Sequence, residues 1–284
     1  MIIKHISCIM NIMIVFLILH YGDHGVTETC IKSIKGLGLK SSYEILIVDN
    51  DPNPGVWDYP HVVKSGNTGF SAANNIGYEY AKNTLKATMV IACNNDLIFE
   101  ASGFEESVLL SYEDGDAYVV GPDIEKVGTG EHQSPIDTDI RTPVQAKKTI
   151  FLNKFALALY PLAYPLMRGL LSGKTQTGVK LETEGPVPDI VPCGACIVFT
   201  KKFVEREKKL FEPETKFYYE EYILAKRCRD KGFKIVYEPK LHVMHVDASS
   251  TNSAYNSESV RIKRKMLNIT ESCRVYLKMF DSKR

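Results

Sequence analysis

Two groups of carboxylates and amides carry the chemistry that this chain can do. In Met89-Val-Ile-Ala-Cys-Asn-Asn-Asp96 an apolar run stops at three polar side chains, Asn94, Asn95 and Asp96. A short run of small and β-branched residues reads as a strand buried on both faces. Its carboxyl end is the edge of an open α/β sheet, where ligands bind. Asp and Asn at such a place also serve as plain caps, here for a helix or turn starting near Phe99. In Phe217-Tyr-Tyr-Glu-Glu221 two adjacent carboxylates, Glu220 and Glu221, follow an aromatic wall. One is an ordinary acidic first-turn residue of a helix that finishes with Arg229 and Lys231 before Gly232. The second is surplus to that role, and apolar surroundings raise a carboxylate towards the pKa of a usable base.

The elements that must position these groups follow from the hydrophobic periods. Asn11 to Leu19 is a buried strand ending at His20 and Tyr21, and a helix follows with Val26, Cys30, Ile34 and Leu37 on one face. Glu44 to Asp49 is a second buried strand that ends in a carboxylate, followed by the turn-rich Asn50 to Gly55. Val62-Val63 leads into Gly66 to Gly77, which contains Asn67, Gly69 and Asn74 and opens a helix running to about Asn83. Glycines there permit close backbone approach, and the helix N-terminus offers N–H groups to a phosphate or a sugar hydroxyl. The spacing is not G-x-G-x-x-G, so a dinucleotide fingerprint is absent. Strand alternating with helix predicts parallel strands with right-handed crossovers, a Rossmann-like half.

Beyond the Asp96 strand the alternation is lost. Tyr118 to Pro122 reads as a short strand, and 125–188 as an irregular insertion. Within it Thr149 to Leu171 is apolar and aromatic, flanked by Lys147, Lys148, Arg168 and Lys174, with Pro161 and Pro165 expected to break it. Such a segment either lies in a membrane interface or forms a helical flap over the site. Ala195 to Thr200 is a strand and Lys201 to Leu210 a charged, solvated helix. Phe233 to Glu238 and Leu241 to Val246 are extended pieces separated by Pro239. Alternation puts His242 and His245 on opposite faces, so they do not form a ligand pair. Ser257 to Lys278 is helical. The boundaries are 10–122 for a nucleotide-binding half, 123–188 for the insertion and 189–284 for the half that carries the carboxylate pair.

Composition narrows the classes. Of 284 residues 44% are hydrophobic and 24% charged, which suits a globular chain with a real core. Thirty-five basic against 34 acidic residues leave no broad basic surface for nucleic acid. Seven irregularly spaced cysteines favour a reducing compartment, and Cys193-Gly-Ala-Cys196 reads as small-residue packing rather than a redox pair. Ile9 to Leu19 is too short to span a bilayer and has no small-residue cleavage site after it, so it reads as the first strand, with 1–8 a loose extension.

Taken in order, Ile47-Val48-Asp49-Asn50, Asn67-Thr68-Gly69-Phe70 through Gly77, Asn94-Asn95-Asp96, Gly194-Ala195, Phe217 to Glu221, and His245 ahead of Ser249-Ser250 resemble the family-2 inverting glycosyltransferases. The likeness is to the rhamnosyltransferase-like bacterial members that build surface polysaccharides, and it runs from about residue 11 to 274. It implies an α/β fold of GT-A type: a Rossmann-like, mostly parallel sheet flanked by helices, with a C-terminal acceptor-side subdomain. It implies a nucleotide-diphosphate sugar donor held by His20, Tyr21, Asp49, Asn67, Gly69, Asn74, Asn94, Asn95 and Asp96, with Asp49 on the base. Mg²⁺ or Mn²⁺ would be held by Asp96 and His245. Asn94 replaces the first acid of the family's D-x-D element. Glu221 would be the catalytic base with Glu220 beside it, and Gly194, Ala195 and Tyr219 would face a saccharide or lipid-linked acceptor. The setting would be cytoplasmic, peripheral on the inner face of the cell membrane. Two other classes use similar sheets: a Rossmann-type nucleotide-sugar-modifying oxidoreductase and a non-catalytic nucleotide-sugar-binding protein.

Overall fold

Four apolar runs form the parallel heart of the sheet. β1 (Met13–His20), β2 (Ser42–Asp49), β3 (Val62–Lys64) and β4 (Met89–Asn94) lie in the order β3-β2-β1-β4, every pairing parallel. In this computed structural model residues 12–113, 115–171, 178–246 and 258–281 are described, the side chains of 161–171 and 258 excepted. The predicted loose extension and Ser249-Ser250-Thr251 therefore fall outside the described residues. β1 is central because its side chains have a core to face on both sides. Val15, Leu17 and Leu19 enter one core, and Ile14, Phe16 and Ile18 the other. The crossovers are α1 (His24–Gly36) and α2 (Phe70–Asn83). Asp23 caps α1 by accepting the Gly25 and Val26 N–H groups.

Past β4 the sheet continues through β9 (Cys196–Phe199), β6 (Ala117–Lys126), β10 (Lys234–His245) and β5 (Leu97–Phe104), with β7 (Glu131–His132) on β6 and β8 (Val187–Pro188) on β10. β9 runs antiparallel to both neighbours and β6–β10 is parallel, so most of the paired positions in the whole sheet are parallel. The segment after 189 thus supplies strands that lie between those of the first half.

The path from β4 to β5 constrains the shape. Four inter-strand steps separate these strands, about 19 Å at roughly 4.8 Å each. Only Asn95 and Asp96 connect them, and three peptide links reach at most about 11 Å. A flat sheet cannot satisfy both, so the sheet curls until the end of β10 and the start of β5 come back beside β4. β10 permits this with a register shift against β6 between Glu238 and His242, where Pro239 removes a ladder donor. Its far end then pairs with β5, His245 opposite Leu97.

α3 (Glu106–Ser111) and α5 (Lys201–Arg206) are short, α6 (Glu220–Lys231) carries the carboxylate pair, and α4 (Pro143–Leu171) and α7 (Glu258–Asp281) pack together. Several expectations change. The 201–210 helix stops at Arg206, and it is not a solvated element, because Phe203 and Val204 are buried. Phe233–Glu238 and Leu241–Val246 are one bulged strand. From Phe99 on, where a helix or turn was one of the two readings, the chain continues as the strand β5. α4 runs on through Pro161 and Pro165; four apart, they put both missing N–H groups on one side of the helix, where a helix accommodates them by curving.

Candidate active site

The carboxyl ends of β1, β2 and β4 lie side by side: His20 is opposite Asp49, and Leu19 opposite Asn94. Asn95 donates through Nδ2 to Thr27 Oγ1 (2.9 Å) and to the Tyr21 carbonyl (3.3 Å). Thr27 Oγ1 in turn sits 2.7 Å from His20 Nδ1. A hydroxyl can give one hydrogen bond and accept two, so the direction of this contact follows the His20 tautomer. Burial holds His20 below the usual histidine pKa and so favours its neutral form. Nε2 is buried without a hydrogen-bond partner, edged by the rings of His24 (4.8 Å) and Trp57 (4.6 Å), which stack on each other at 4.0 Å.

Asp49 is fully buried and occupied by its own loop. It accepts the Asp51 N–H (3.1 Å), the Gly55 N–H (3.1 Å) and the Trp57 indole N–H (2.9 Å). Its first task is therefore to shape 50–57, leaving room for about one further donor.

Asp96 turns the chain from β4 into β5 and is 8% exposed. Its Oδ1 stands 3.1 Å from His245 Nε2, yet no hydrogen bond is aligned between them, and Oδ1 is buried without a donor. The reason lies behind the ring: His245 Nδ1 is 2.6 Å from Gln133 Oε1, an oxygen that can only accept. Nδ1 must donate, so in neutral His245 the Nε2 lone pair faces the Asp96 lone pair. Two acceptors about 3 Å apart match adjacent ligands of an octahedral divalent cation with bonds of about 2.1 Å. The residues present fit such an ion, though among the described residues no three His, Cys, Asp or Glu groups converge on one point.

The carboxylate pair reaches the same edge by a short chain of contacts. The Asn94 N–H donates to the Ala195 carbonyl (2.9 Å), and Gly194 lies directly against Glu221. A Cβ on Gly194 would stand 2.6 Å from Glu221 Oε1. Desolvation raises the pKa of Glu221, opposed by backbone N–H groups of Glu221 and Gly194. Glu220 is buried, with Oε1 lacking a partner. Desolvation, then the charge of Glu221, push its pKa well above the carboxylate range. One carboxyl of the pair is thus kept neutral beside another that can ionise. Tyr218 (φ 72°) and Tyr219 (φ 71°) are both left-handed immediately before the helix. Such backbone costs about 1–3 kcal/mol per residue and persists only where surrounding contacts enforce it.

The remaining expected residues have local partners. Asn67 takes a left-handed φ of 56°. Gly69 (φ 92°) packs on the Lys216 backbone, and the Phe70 N–H donates to the Lys216 carbonyl. That first helical N–H is therefore committed to the chain rather than open to a phosphate. Asn74 Nδ2 donates to the Phe70 carbonyl within α2. The Tyr219 ring is buried among Tyr222, Tyr276 and Arg141 instead of lining an open surface. A surface depression of about 410 Å³ lies along the far half of β5, lined by Glu100, Glu105, Lys240 and His242 among others. Its chemistry is that of an open polar surface, and the site is picked by converging groups rather than by concavity. Sequence reasoning missed Gln133, Thr27, His24 and Trp57; Trp57, the one tryptophan, stands eight residues after Asp49 in a Pro/Gly-rich loop and could have been found.

No protein-family model matches the chain, and no curated protein matches it. Among solved structures, the crystal structure of GalNAc-T7 with UDP, GalNAc and Mn²⁺ resembles it with a TM-score of 0.51 at 13% sequence identity. The match covers 90% of this chain and 47% of that one, so the chain spans about half of that neighbour. At this identity the likeness is one of fold. The fold is α/β and of GT-A type, a mostly parallel central sheet flanked by helices.

Proposed function

We propose that the chain is an inverting glycosyltransferase of family-2 type. It moves a sugar, with rhamnose the first candidate, from a nucleotide-diphosphate sugar to a hydroxyl of a saccharide or lipid-linked oligosaccharide in surface polysaccharide synthesis. The observation that supports this reading is that two unlike acidic groups are each linked to the carboxyl end of β4. Asp96 presents an unpartnered oxygen beside His245, and Glu221, with its raised pKa, is seated on Gly194 next to Ala195 and Asn94.

In this reading the donor lies across the ends of β1, β2 and β4. The base sits by the loop that Asp49 and Trp57 shape, and His20 Nε2 and Tyr21 are at hand for polar contacts. Asn67, Gly69 and Asn74 set the backbone wall beside it. Asn94 and Asn95 position the turn that carries Asp96. Mg²⁺ or Mn²⁺ held by Asp96 and His245 would supply positive charge against the departing diphosphate. Glu221 takes the proton of the acceptor hydroxyl as its oxygen bonds to C1 of the sugar. The C1–O bond to the diphosphate breaks on the opposite face, inverting the anomeric centre. Glu220, held neutral, limits repulsion against the ionised base. The acceptor lies over Gly194 and Ala195, and a lipid-linked acceptor would place the enzyme at the cytoplasmic face of a membrane.

The test is a panel of nucleotide-diphosphate sugars assayed by calorimetry with Mn²⁺ and with chelator, followed by proton NMR of the product formed with the best binder. Metal-dependent binding of one donor and an inverted anomeric configuration are expected. Binding of NAD in preference to every nucleotide sugar, or a retained configuration, would overturn the reading.

A further inference from the structure

The described part of α4 has two unlike faces. On one, Tyr160 is buried against Ile262 and Met266 of α7, with Ala156 and Leu157 alongside. Asn153 Nδ2 donates to the Met266 carbonyl and the Tyr160 hydroxyl to the Ser259 carbonyl. On the other, Val144, Phe151, Leu152, Phe155 and Leu159 are exposed, Phe151 at 68% and Phe155 at 59%. Their spacing of seven, eight, eleven and fifteen residues from Val144 is that of one helical stripe. The rings of Phe151 and Phe155 lie nearly parallel, 6.5 Å apart. A contiguous apolar stripe of this kind marks a contact surface.

Charge says what it contacts. Lys147, Lys148 and Lys154 are exposed around the stripe, and α4 contains no Asp or Glu. α7 beside it adds exposed Lys263 and Arg264. A second copy of the chain placed symmetrically on this face would oppose lysine with lysine. No helix among the described residues is long and apolar enough to cross a membrane. An apolar stripe with basic flanks instead suits the headgroup boundary of an anionic bilayer.

We propose that this face of α4 docks on an anionic lipid surface, with Phe151 and Phe155 entering the acyl boundary and the lysines meeting lipid phosphates. This deepens the function proposed above and rests on it only for the purpose of docking. The surface is also braced to the carboxylate helix. Arg141, two residues before α4, lies over the Tyr222 ring at 4.9 Å and the Tyr219 ring at 5.7 Å, and its carbonyl accepts from Tyr276. Arg141 thus links the start of α4 to the helix that carries Glu221.

Co-sedimentation of the full chain with vesicles of equimolar phosphatidylcholine and phosphatidylglycerol, against phosphatidylcholine alone, tests it. Binding to the anionic vesicles is expected to weaken about tenfold or more in Phe151→Glu/Phe155→Glu. A similar loss, about tenfold, is expected in Lys147→Glu/Lys148→Glu. Both variants should keep the wild-type circular dichroism and their transfer to a soluble acceptor without vesicles. No binding to anionic vesicles, equal binding to neutral ones, or undiminished binding in both variants would overturn the proposal. So would conversion of a dimer to a monomer by the phenylalanine variant, or its loss of transfer to the soluble acceptor, which would assign the face to a second copy or to a flap over the site. Vesicle binding needs no sugar donor, so failure of the transferase reading would leave this result standing.

Discussion

At Gly194 the side chain is a single hydrogen, and this decides where Glu221 can be. Gly194→Ala would place a methyl 2.6 Å from Oε1, and the atom in its way is the end of a flexible side chain, so the carboxylate moves and the backbone stays. We expect kcat to fall while the thermal midpoint changes little, which kinetics and calorimetric melting on the same sample would separate. Glu221→Gln removes the base and keeps the shape; transfer should drop about 10²–10⁴-fold, with donor affinity by titration calorimetry unchanged. Asp96→Asn tests the other pole. It keeps the size of the side chain and removes its charge, so donor affinity in Mn²⁺ should fall to the level seen with chelator. An affinity that ignores both the substitution and the chelator would remove Asp96 from the site. Asp96 and Glu221 could be singled out in the sequence because each stands where an apolar run or an aromatic wall stops, and His245 through the ordered set of motifs. What the sequence did not reveal is how each is held. The hydrogen bond from His245 to Gln133 spans 112 residues, and nothing in the local pattern marks it.

Among the elements, the loop from Leu210 to Tyr219 is irregular and closely tied to α2. Asn75 of α2 accepts the N–H groups of Leu210 and Phe211 and donates to the Phe211 carbonyl. Ser71 pairs with Thr215, and Gly69 backs onto Lys216. These ties hold Tyr218 and Tyr219 in left-handed backbone at the start of α6. Gly69→Ala would add a strained φ and a contact 3.0 Å from the Lys216 carbonyl, and should cost about 1–3 kcal/mol in urea unfolding. Wild-type stability in that variant would mean that the loop is not held through α2. The central strands were readable because a strand buried on both faces is a continuous apolar run. β5 was not: Leu97 to Phe104 holds Glu100, Ser102 and Gly103 on an edge, where polar residues and glycine resemble a turn. β10 read as two pieces because Pro239 looks like a terminus, and only pairing with β6 on both sides of it shows a bulge.

For the whole molecule, the buried acid pair ties stability to pH. The folded chain holds a proton on Glu220 more tightly than the unfolded chain does, whose ordinary value is near 4.5. The stability contributed by neutral Glu220 is therefore complete below that ordinary value and is lost as pH rises through the raised folded one. Urea unfolding over a pH series should show this decline, and Glu220→Gln should flatten it. An equally steep slope in the variant would place the cause elsewhere. The three-segment division in the sequence reading meets a sheet in which β9 and β10 stand among strands of the first half. Hydrophobic period marks strands but carries no information about which distant strand will be their neighbour, so this interleaving is a property only the assembled molecule displays.

That interleaving reaches into how the chain could be cut. Severed in the stretch just before β8, the front piece would keep β4 and β6 with the slot for β9 vacant between them, and the back piece would keep β8, β9 and β10, with only the two-residue β8 paired to β10 and no sheet for β9 to join. Neither fragment should be soluble and ordered alone. Mixed, they would have to rebuild the curled sheet before residues 96 and 245 could meet, so recovery of donor binding would itself report reassembly.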